Sequence, residues 1–286
     1  MADFYETELT ARLFDLQNAD DPLLEKECAF FLEELETTDG PCLDLGCGTG
    51  RILVPALKDG IDIYGCDRSA SFLGRTRQKA RDLGLEIEDR LFLCDLANPG
   101  LAPKPRDRGV FSTFPLDALA QNTGNSEGFN LALAAFRTFD HLSEEGERED
   151  FLRSMRSLLR PGGRLLINVA NPTVDDLESA MGEKVLLRDD MEDPETGYRV
   201  AWWGATHFEP SSMLIQQAYI YDFLAPGGRV VETYHFPLTM RWTPGEEMRE
   251  LAETAGFEVR NRWGGFMREP YERGTGDAVW ELAAAE

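Results

Sequence analysis

The sequence predicts an α/β fold: a mostly parallel sheet of seven strands with helices on both faces, and a small three-stranded antiparallel sheet inserted after the fifth strand. Between residues 41 and 172, apolar strand-like segments alternate with helical patterns, the order that forms parallel sheets. Residues 129–136 are an apolar run without interruption, as in buried parallel strands. Residues 198–242 show instead the period-two alternation of antiparallel strands.

The elements follow in chain order. Apolar residues at helical spacing predict helices over 4–16 and 22–36, and Ser143 is expected to begin a later helix. The strands of the central sheet are predicted over 43–45, 61–66, 91–94, 129–136, 164–170, 257–263 and 277–282, and those of the antiparallel sheet over 198–208, 213–225 and 229–242. The predicted parts of the chain are a helical cover (1–40), a cofactor-binding core (41–172 and 243–286) and an antiparallel insertion on the substrate side (173–242).

Residues 97–128 are the least regular part of the sequence because they are rich in proline, glycine and charge. A structureless loop of this length is uncommon in a compact domain, so an extra element is expected here. Phe111-Ser112-Thr113-Phe114 is compatible with a strand, and residues 116–121 with a helical turn.

The stretch Leu43-Asp44-Leu45-Gly46-Cys47-Gly48-Thr49-Gly50-Arg51 predicts a strand, a tight turn and the start of a helix. Glycines at alternate positions tolerate positive φ and allow a ligand to approach the backbone closely. The free N–H groups at a helix N-terminus suit an anionic group. A dinucleotide fingerprint would need a glycine where Arg51 stands, so the spacing argues against NAD.

Acidic residues follow the next two predicted strands. Asp67 ends the second strand, where a carboxylate can accept hydrogen bonds from both hydroxyls of a ribose; alternatively, Asp67 only caps the helix that begins near Ser69. Asp95 and Leu96 end the third strand. Because the carboxyl ends of parallel strands meet at one edge of the sheet, a ligand site is expected there.

The order Asp-x-Gly-x-Gly-x-Gly over Asp44–Gly50 resembles the first motif of the class I S-adenosylmethionine-dependent methyltransferases, whose fold is Rossmann-like. Residues 137–142 resemble the fourth motif of the small-molecule branch, which includes N-methyltransferases of glycine and amino sugars. The resemblance implies that S-adenosylmethionine is the cofactor, and that Asp95 and Leu96 hold its adenine. The expected cofactor-binding residues are Asp44, Gly46, Cys47, Gly48, Gly50, Arg51, Asp67, Arg68, Asp95, Leu96 and Phe136.

His141 is the predicted catalytic base or substrate-binding residue, because imidazole has a pKa near neutrality; the alternative is that His141 only orients the loop after the strand. The expected substrate-binding residues are Tyr5, Arg137, Phe139, Asn171, Trp203 and Tyr219. The aromatic residues of the antiparallel strands favour a small amine as methyl acceptor. O-methylation, a catalytically silent cofactor-binding partner and an NAD-linked dehydrogenase are the alternatives.

The composition restricts the possible partners. The net charge of −23 repels phosphate backbones, so a nucleic-acid substrate is not expected. The five cysteines form no C-x-x-C pair and there are three histidines, so no metal site is expected. No apolar run approaches the roughly 20 residues that span a bilayer. The expectation is a soluble, cytoplasmic monomer or homodimer that acts on a small molecule.

Overall fold

Two sheets organise the chain in the computed structural model, which describes residues 4–5, 7–103, 111–182 and 184–285. The helices are α1 (Glu8–Gln17), α2 (Pro22–Glu36), α3 (Leu53–Lys58), α4 (Ala70–Asp82), α5 (Leu119–Asn122), α6 (Glu147–Leu158), α7 (Val174–Ser179) and α8 (Gly245–Thr254). The strands are β1 (Cys42–Leu45), β2 (Ile63–Asp67), β3 (Leu91–Leu93), β4 (Ser112–Thr113), β5 (Phe129–Ala134), β6 (Leu159–Asn171), β7 (Val185–Glu192), β8 (Arg199–Glu209), β9 (Leu214–Leu224), β10 (Val230–Arg241), β11 (Phe257–Trp263) and β12 (Gly276–Ala284).

The central sheet has eight strands in the order β11-β12-β6-β5-β1-β2-β3-β4. β1 to β6 run parallel to one another, whereas β12 is antiparallel to both β6 and β11. The strand order reverses at β1, which lies between β5 and β2. Open α/β sheets bind ligands outside the carboxyl ends of their strands at such a reversal, so the topology locates the site.

Helices cover both faces of this sheet. Phe30 and Phe31 of α2 pack with Leu53 of α3 in one apolar cluster, which also includes Leu73 of α4. Phe151 of α6 lies in the cluster on the other face, together with buried side chains of α8. The mostly parallel α/β class predicted from the alternating pattern is therefore confirmed.

The second sheet is antiparallel, in the order β10-β9-β8-β7. Its apolar face packs against the N-terminal part of the chain, because Tyr221, Phe223 and Phe236 share one buried cluster with Phe4 and Leu13. This sheet and α1 thus form one unit. β10 lies next to the 3₁₀ turn Thr138–His141, which follows β5.

Each sheet has one strand more than the sequence predicted. β4 is two residues long and pairs with β3 at Phe92 and Leu93, and two residues are too few to show a period. β7 is irregular, with register shifts on both sides of Arg188 that interrupt the alternation of side chains. β4 and α5 are the extra elements expected in residues 97–128; residues 104–110 of that segment lie outside the described residues.

The start of α6, the cysteines and the lengths of the helices can also be compared with the sequence analysis. α6 begins at Glu147 after Gly146 with φ of 84°, so Ser143 does not begin it. All five cysteines are free thiols. Among the helices within the described ranges, none combines the length and the apolar character required to cross a bilayer.

Candidate functional site

A cavity of about 500 Å³ opens at the carboxyl edge of the central sheet. The residues that follow β1, β2, β3 and β5 form one side of its wall. The other side comes from Tyr5 and Phe14, from Pro237–Thr239 of β10, and from His141, Leu142, Ser143 and Glu147. The volume suits a small-molecule ligand.

The glycine loop after β1 is shaped by its contacts. Gly46, Gly48 and Gly50 have φ values of 66°, 58° and 80°, a region that L side chains rarely adopt. A Cβ at Gly46 would lie 2.7 Å from Thr138 Cγ2, so this glycine is needed for close packing on the 3₁₀ turn. A Cβ at Gly48 would meet no atom closer than 3.8 Å, so the backbone there stays open to a ligand.

Asp67 connects the glycine loop to the end of β2. Its carboxylate accepts hydrogen bonds from Gly48 N at 3.0 Å and from Ser69 N at 2.8 Å. Burial raises the pKa of Asp67, and these two N–H donors lower it by a smaller amount. Asp67 thus joins the glycine loop to Ser69, the residue that caps α4, and its side chain also lines the cavity.

Asp95 and Leu96 follow β3 and line the next part of the cavity. The Asp95 carboxylate accepts from Ala97 N at 3.0 Å and from Asn98 Nδ2 at 2.9 Å. Each carboxylate oxygen has a further lone pair. The pair thus offers a hydrogen-bond acceptor beside an apolar surface.

Glu27 of α2 joins the N-terminal helices to the cavity wall. Its side chain is 1% exposed, forms an ion pair with Arg51 at 2.5 Å, and accepts a 2.6 Å hydrogen bond from Phe136 N. Burial raises the pKa of Glu27, and the Arg51 charge acts in the opposite direction. Phe136 and Arg137 have φ values of 49° and 57°, so Glu27 stabilises a left-handed turn that non-glycine residues disfavour.

Tyr5 and His141 meet across the cavity although 136 positions separate them in the chain. The Tyr5 hydroxyl lies 3.1 Å from His141 Nε2, and the two rings are perpendicular with centroids 5.4 Å apart. The Ser69 hydroxyl donates to the Tyr5 carbonyl, and the Arg68 guanidinium lies 5.5 Å from the Tyr5 ring centroid. Whichever atom donates, the hydrogen bond to Tyr5 fixes the orientation of the imidazole.

The cavity wall brings together the predicted cofactor-binding residues except Gly50, and also Tyr5 and His141. Gly50 lies behind the loop, where a Cβ would come within 2.6 Å of Thr76 Cγ2 on α4. Its absence of a side chain serves helix packing, and Gly50 is not among the described residues that line the cavity.

Three residues predicted to bind substrate, near the ends of β5 and β6, make contacts within the protein. Arg137 donates to both carboxylate oxygens of Asp277, at 2.8 and 2.9 Å. Phe139 has no exposed surface and lies in the core. Asn171 donates to Thr275 Oγ1 at 2.8 Å. In the described part of the chain, none of the three belongs to the cavity wall.

Trp203 and Tyr219 of the antiparallel sheet are also outside the set of described residues that line the cavity. The Trp203 ring lies 4.3 Å from the Lys184 ammonium, away from the described residues that line the cavity. Tyr219 packs edge-on against Trp202 and Phe4, at 5.2 and 5.8 Å between ring centroids. Burial raises the pKa of the Tyr219 hydroxyl, as expected for a core side chain.

Some residues at the site were not predicted. Phe14, Thr138, Glu147 and Pro237–Thr239 line the cavity, and Glu27 supports it. Glu27 had a detectable signal, because it lies on the apolar stripe of α2, where a charge requires a partner. Pro237–Thr239 had none, because a strand does not indicate in the sequence which distant segment it covers.

Asp140, next to His141, gives a prediction on pH. It is 2% exposed, accepts a 2.8 Å hydrogen bond from Ala170 N, and burial raises its pKa to about 7. Because the folded-state pKa exceeds the unfolded one, the carboxyl favours folding at low pH and this contribution is lost as the pH rises towards 7.

Asp140→Asn removes this titration. We expect the free energy of unfolding of the variant, relative to wild type, to rise by about 3 kcal/mol between pH 5 and pH 8. Urea unfolding at several pH values measures it. A difference between the two proteins that stays constant with pH would contradict the buried, titrating carboxyl.

Comparison with known proteins agrees with this architecture. Residues 43–165 match a family described as a methyltransferase domain. The chain is 28% identical over 193 residues to the N-methyltransferase FrzE of a Cladobotryum species, with 61% of each chain aligned, so it spans about three fifths of that relative. It is 26% identical over 234 residues to the cypemycin N-terminal methyltransferase of a Streptomyces species, covering 80% of this chain and 77% of that one.

A solved structure shows the same fold over nearly the whole chain. The S-adenosylmethionine-dependent methyltransferase from Clostridium acetobutylicum superposes with a TM-score of 0.71, covering 96% of this chain and 98% of that one at 15% identity. Residues 43–165 thus match a methyltransferase domain, and the chain shares the fold of this solved structure, with its glycine loop between β1 and α3.

Proposed function

We propose that the protein transfers a methyl group from S-adenosylmethionine to the nitrogen of a small-molecule amine. The observation that carries this proposal is the shared cavity, in which the glycine loop and the strand-end acids face the Tyr5–His141 pair. One of the two relatives is named an N-methyltransferase and the other an N-terminal methyltransferase, and both names support nitrogen as the acceptor atom.

The residues present fit the cofactor. We propose that Asp67 accepts from the ribose hydroxyls, and that Asp95 and Leu96 hold the adenine. The open backbone at Gly48 and the N-terminal end of the following helix would receive the methionine carboxylate. The free lone pairs of the two carboxylates and the open surface at Gly48 support this arrangement.

When bound, the cofactor supplies a methyl group that is already activated on a sulfonium. The acceptor nitrogen forms a bond to the methyl carbon as the carbon–sulfur bond breaks, and an ammonium acceptor must first give up one proton to free its lone pair. We propose that His141 receives this proton. The wall around the pair aligns the acceptor and excludes water, an effect that can reach about 7 to 11 kcal/mol in well-oriented systems.

The arrangement of the cavity wall also supports an acceptor side formed by segments outside the central sheet. We propose that residues 1–40 and 173–242 shape the acceptor end of the cavity. Tyr5 from the first segment and Pro237–Thr239 from the second lie on its wall. The core around β1, β2 and β3 would then carry the cofactor.

A screen for methyl transfer tests the function. The protein is incubated with S-adenosylmethionine and small amines or their hydroxyl counterparts, and mass spectrometry follows S-adenosylhomocysteine and the methylated product. We expect N-methylated product from at least one amine. Product from hydroxyl compounds alone would establish O-methylation instead, and cofactor binding without any product would indicate a silent member of the family.

With an acceptor in hand, His141→Ala tests the proton transfer. We expect kcat to fall by about 100-fold or more, since a positioned acid–base group contributes about 10²- to 10⁴-fold. Tyr5→Phe, which removes the hydrogen bond to Nε2, should lower kcat less and shift its pH profile. Cofactor affinity measured by calorimetry should stay within about 3-fold of wild type. Full turnover by His141→Ala would show that the imidazole only orients the loop.

A further inference from the structure

The carboxylates of the cavity wall are unevenly distributed. Asp44, Asp67 and Asp95 belong to the strand ends that surround the glycine loop, whereas Glu147 is at the start of α6. Glu147 lines the same cavity as His141, which stands six positions earlier in the chain. Among the carboxylates of the cavity wall, it is therefore the nearest in sequence to the proposed proton acceptor.

The three aspartates already have partners or a reduced tendency to ionise. Asp67 and Asp95 each accept two hydrogen bonds, as described above. Asp44 is 3% exposed, and burial raises its pKa to about 7. Asp44 is therefore only partly ionised at neutral pH, and Asp67 and Asp95 belong to the part of the wall that we assign to the cofactor.

Glu147 differs from them. It is half-buried, and its Oε2 accepts a single 3.0 Å hydrogen bond from Glu144 N, which holds the carboxylate over the turn before α6. Within the described residues, no lysine or arginine lies within ion-pair distance of it. By contrast, Glu247 on the adjacent helix α8 is paired with Arg241 at 2.5 Å.

The cationic side chains of the wall do not offset this charge. The Arg51 charge is matched by Glu27 at 2.5 Å. Arg68 follows β2, and its guanidinium lies 5.5 Å from the centroid of the Tyr5 ring. Among the described residues, the acceptor end of the cavity is thus left with one carboxylate, in a protein whose net charge of −23 already attracts cations.

We propose that Glu147 binds the charged ammonium group of the acceptor, so that the enzyme selects cationic amines over neutral molecules of the same shape. The inference rests on the proposed function and assigns its substrate class. Glu147 recognises the ammonium on entry, and His141 then takes one proton from the same nitrogen. Since a carboxylate favours the charged form of the amine, Glu147 aids acceptor binding and does not assist the loss of the proton.

Glu147→Gln tests this role with little disturbance. The amide oxygen can still accept from Glu144 N, so the start of α6 is preserved while the charge is lost. Glu145→Gln is the matched control, because it removes one exposed charge from the same turn and Glu145 is not on the cavity wall. A purely long-range effect of charge would appear equally in both variants.

The primary measurement is equilibrium binding to protein saturated with S-adenosylhomocysteine. Benzylamine, glucosamine and glycinamide are titrated by calorimetry, each against its counterpart with a hydroxyl in place of the amine. We expect the wild type to bind at least one amine more tightly than its counterpart. Glu147→Gln should weaken the binding of that amine by about 10- to 100-fold, the range of a charged hydrogen bond. The affinity for the hydroxyl compound should stay within about 2-fold of wild type, as should the affinity for S-adenosylmethionine, measured separately on the free protein.

The outcomes separate this inference from the proposed function. Failure of all three amines to bind, equal affinity for amine and hydroxyl forms, or equal effects of Glu147→Gln and Glu145→Gln would overturn the role of Glu147. Amine binding that depends on Glu147 without any methylated product would instead overturn the proposed function. With turnover, Glu147→Gln should raise KM for the amine without lowering kcat.

Discussion

Asp67→Asn is expected to weaken the binding of S-adenosylmethionine by about 100-fold or more. The two proposed hydrogen bonds from the ribose hydroxyls to the carboxylate would contribute about 1.5–3 kcal/mol each, the range for a charged acceptor. The carboxylate accepts from Gly48 N and Ser69 N, and in our proposal it also accepts from the ribose. An amide nitrogen cannot accept, so one of the two N–H donors loses its partner. The loop and the ribose contact should therefore be lost together.

Isothermal titration with S-adenosylmethionine and with S-adenosylhomocysteine measures this effect. Asp89→Asn is a suitable control, because Asp89 is an exposed acid on the turn before β3 and its removal changes the net charge equally. Thermal unfolding verifies that the variant is folded. An affinity within 3-fold of wild type for both ligands would rule out the ribose role of Asp67.

Glu27→Ala is expected to lower the free energy of unfolding by about 3 kcal/mol, because removing one partner of a buried pair leaves the other uncompensated. Arg51 retains some contact with water, since its side chain is 24% exposed, and a hydrogen bond to Leu24 O at 3.1 Å. The Phe136 N–H, however, loses its acceptor in a turn with unfavourable φ. The same variant should weaken cofactor binding, because Arg51 and Phe136 line the cavity.

Urea unfolding compares this variant with two others. Glu25→Ala removes an exposed acid from the same helix and should change stability by less than about 0.5 kcal/mol. Glu27→Gln keeps an acceptor for Phe136 N and should lie between the two. If Glu27→Ala and Glu25→Ala are equally stable, the ion pair with Arg51 does not connect α2 to the site.

The part of the cavity wall that we propose holds the cofactor could be predicted because it is built from segments that are local in the sequence. Gly46, Gly48 and Gly50 lie within one strand–turn–helix unit, and Asp67 and Asp95 end the next two strands. Parallel strands bring their carboxyl ends together whatever their exact lengths, so positions in the sequence translate directly into positions at the site. Errors of a few residues at the helix ends did not affect this part.

The acceptor side could not be predicted in the same way. After β5, two successive residues with positive φ, Phe136 and Arg137, turn the chain into a 3₁₀ turn. That turn directs Thr138 and His141 to the cavity and buries Phe139 and Asp140. Positive φ at non-glycine residues has no sequence signature here. It is stabilised by Glu27, a residue more than a hundred positions away.

The aromatic strands show a second limit. Alternation identified the strands that contain Trp203 and Tyr219, but not the direction in which each face points. The inner face packs on Phe4 and α1, so most aromatic side chains stabilise the cover and do not contact the cavity. β10 contributes Pro237, Leu238 and Thr239 instead.

The contact between Tyr5 and His141 has a consequence for synthesis on the ribosome. The chain emerges from its N-terminus, so Tyr5 is made first and must wait for His141 and then for Thr239 before its side of the cavity can close. The glycine loop and the acids after β2 and β3 have all been made by residue 96. A nascent chain can therefore hold the complete set of proposed cofactor contacts on these strands while its acceptor wall is still unfinished.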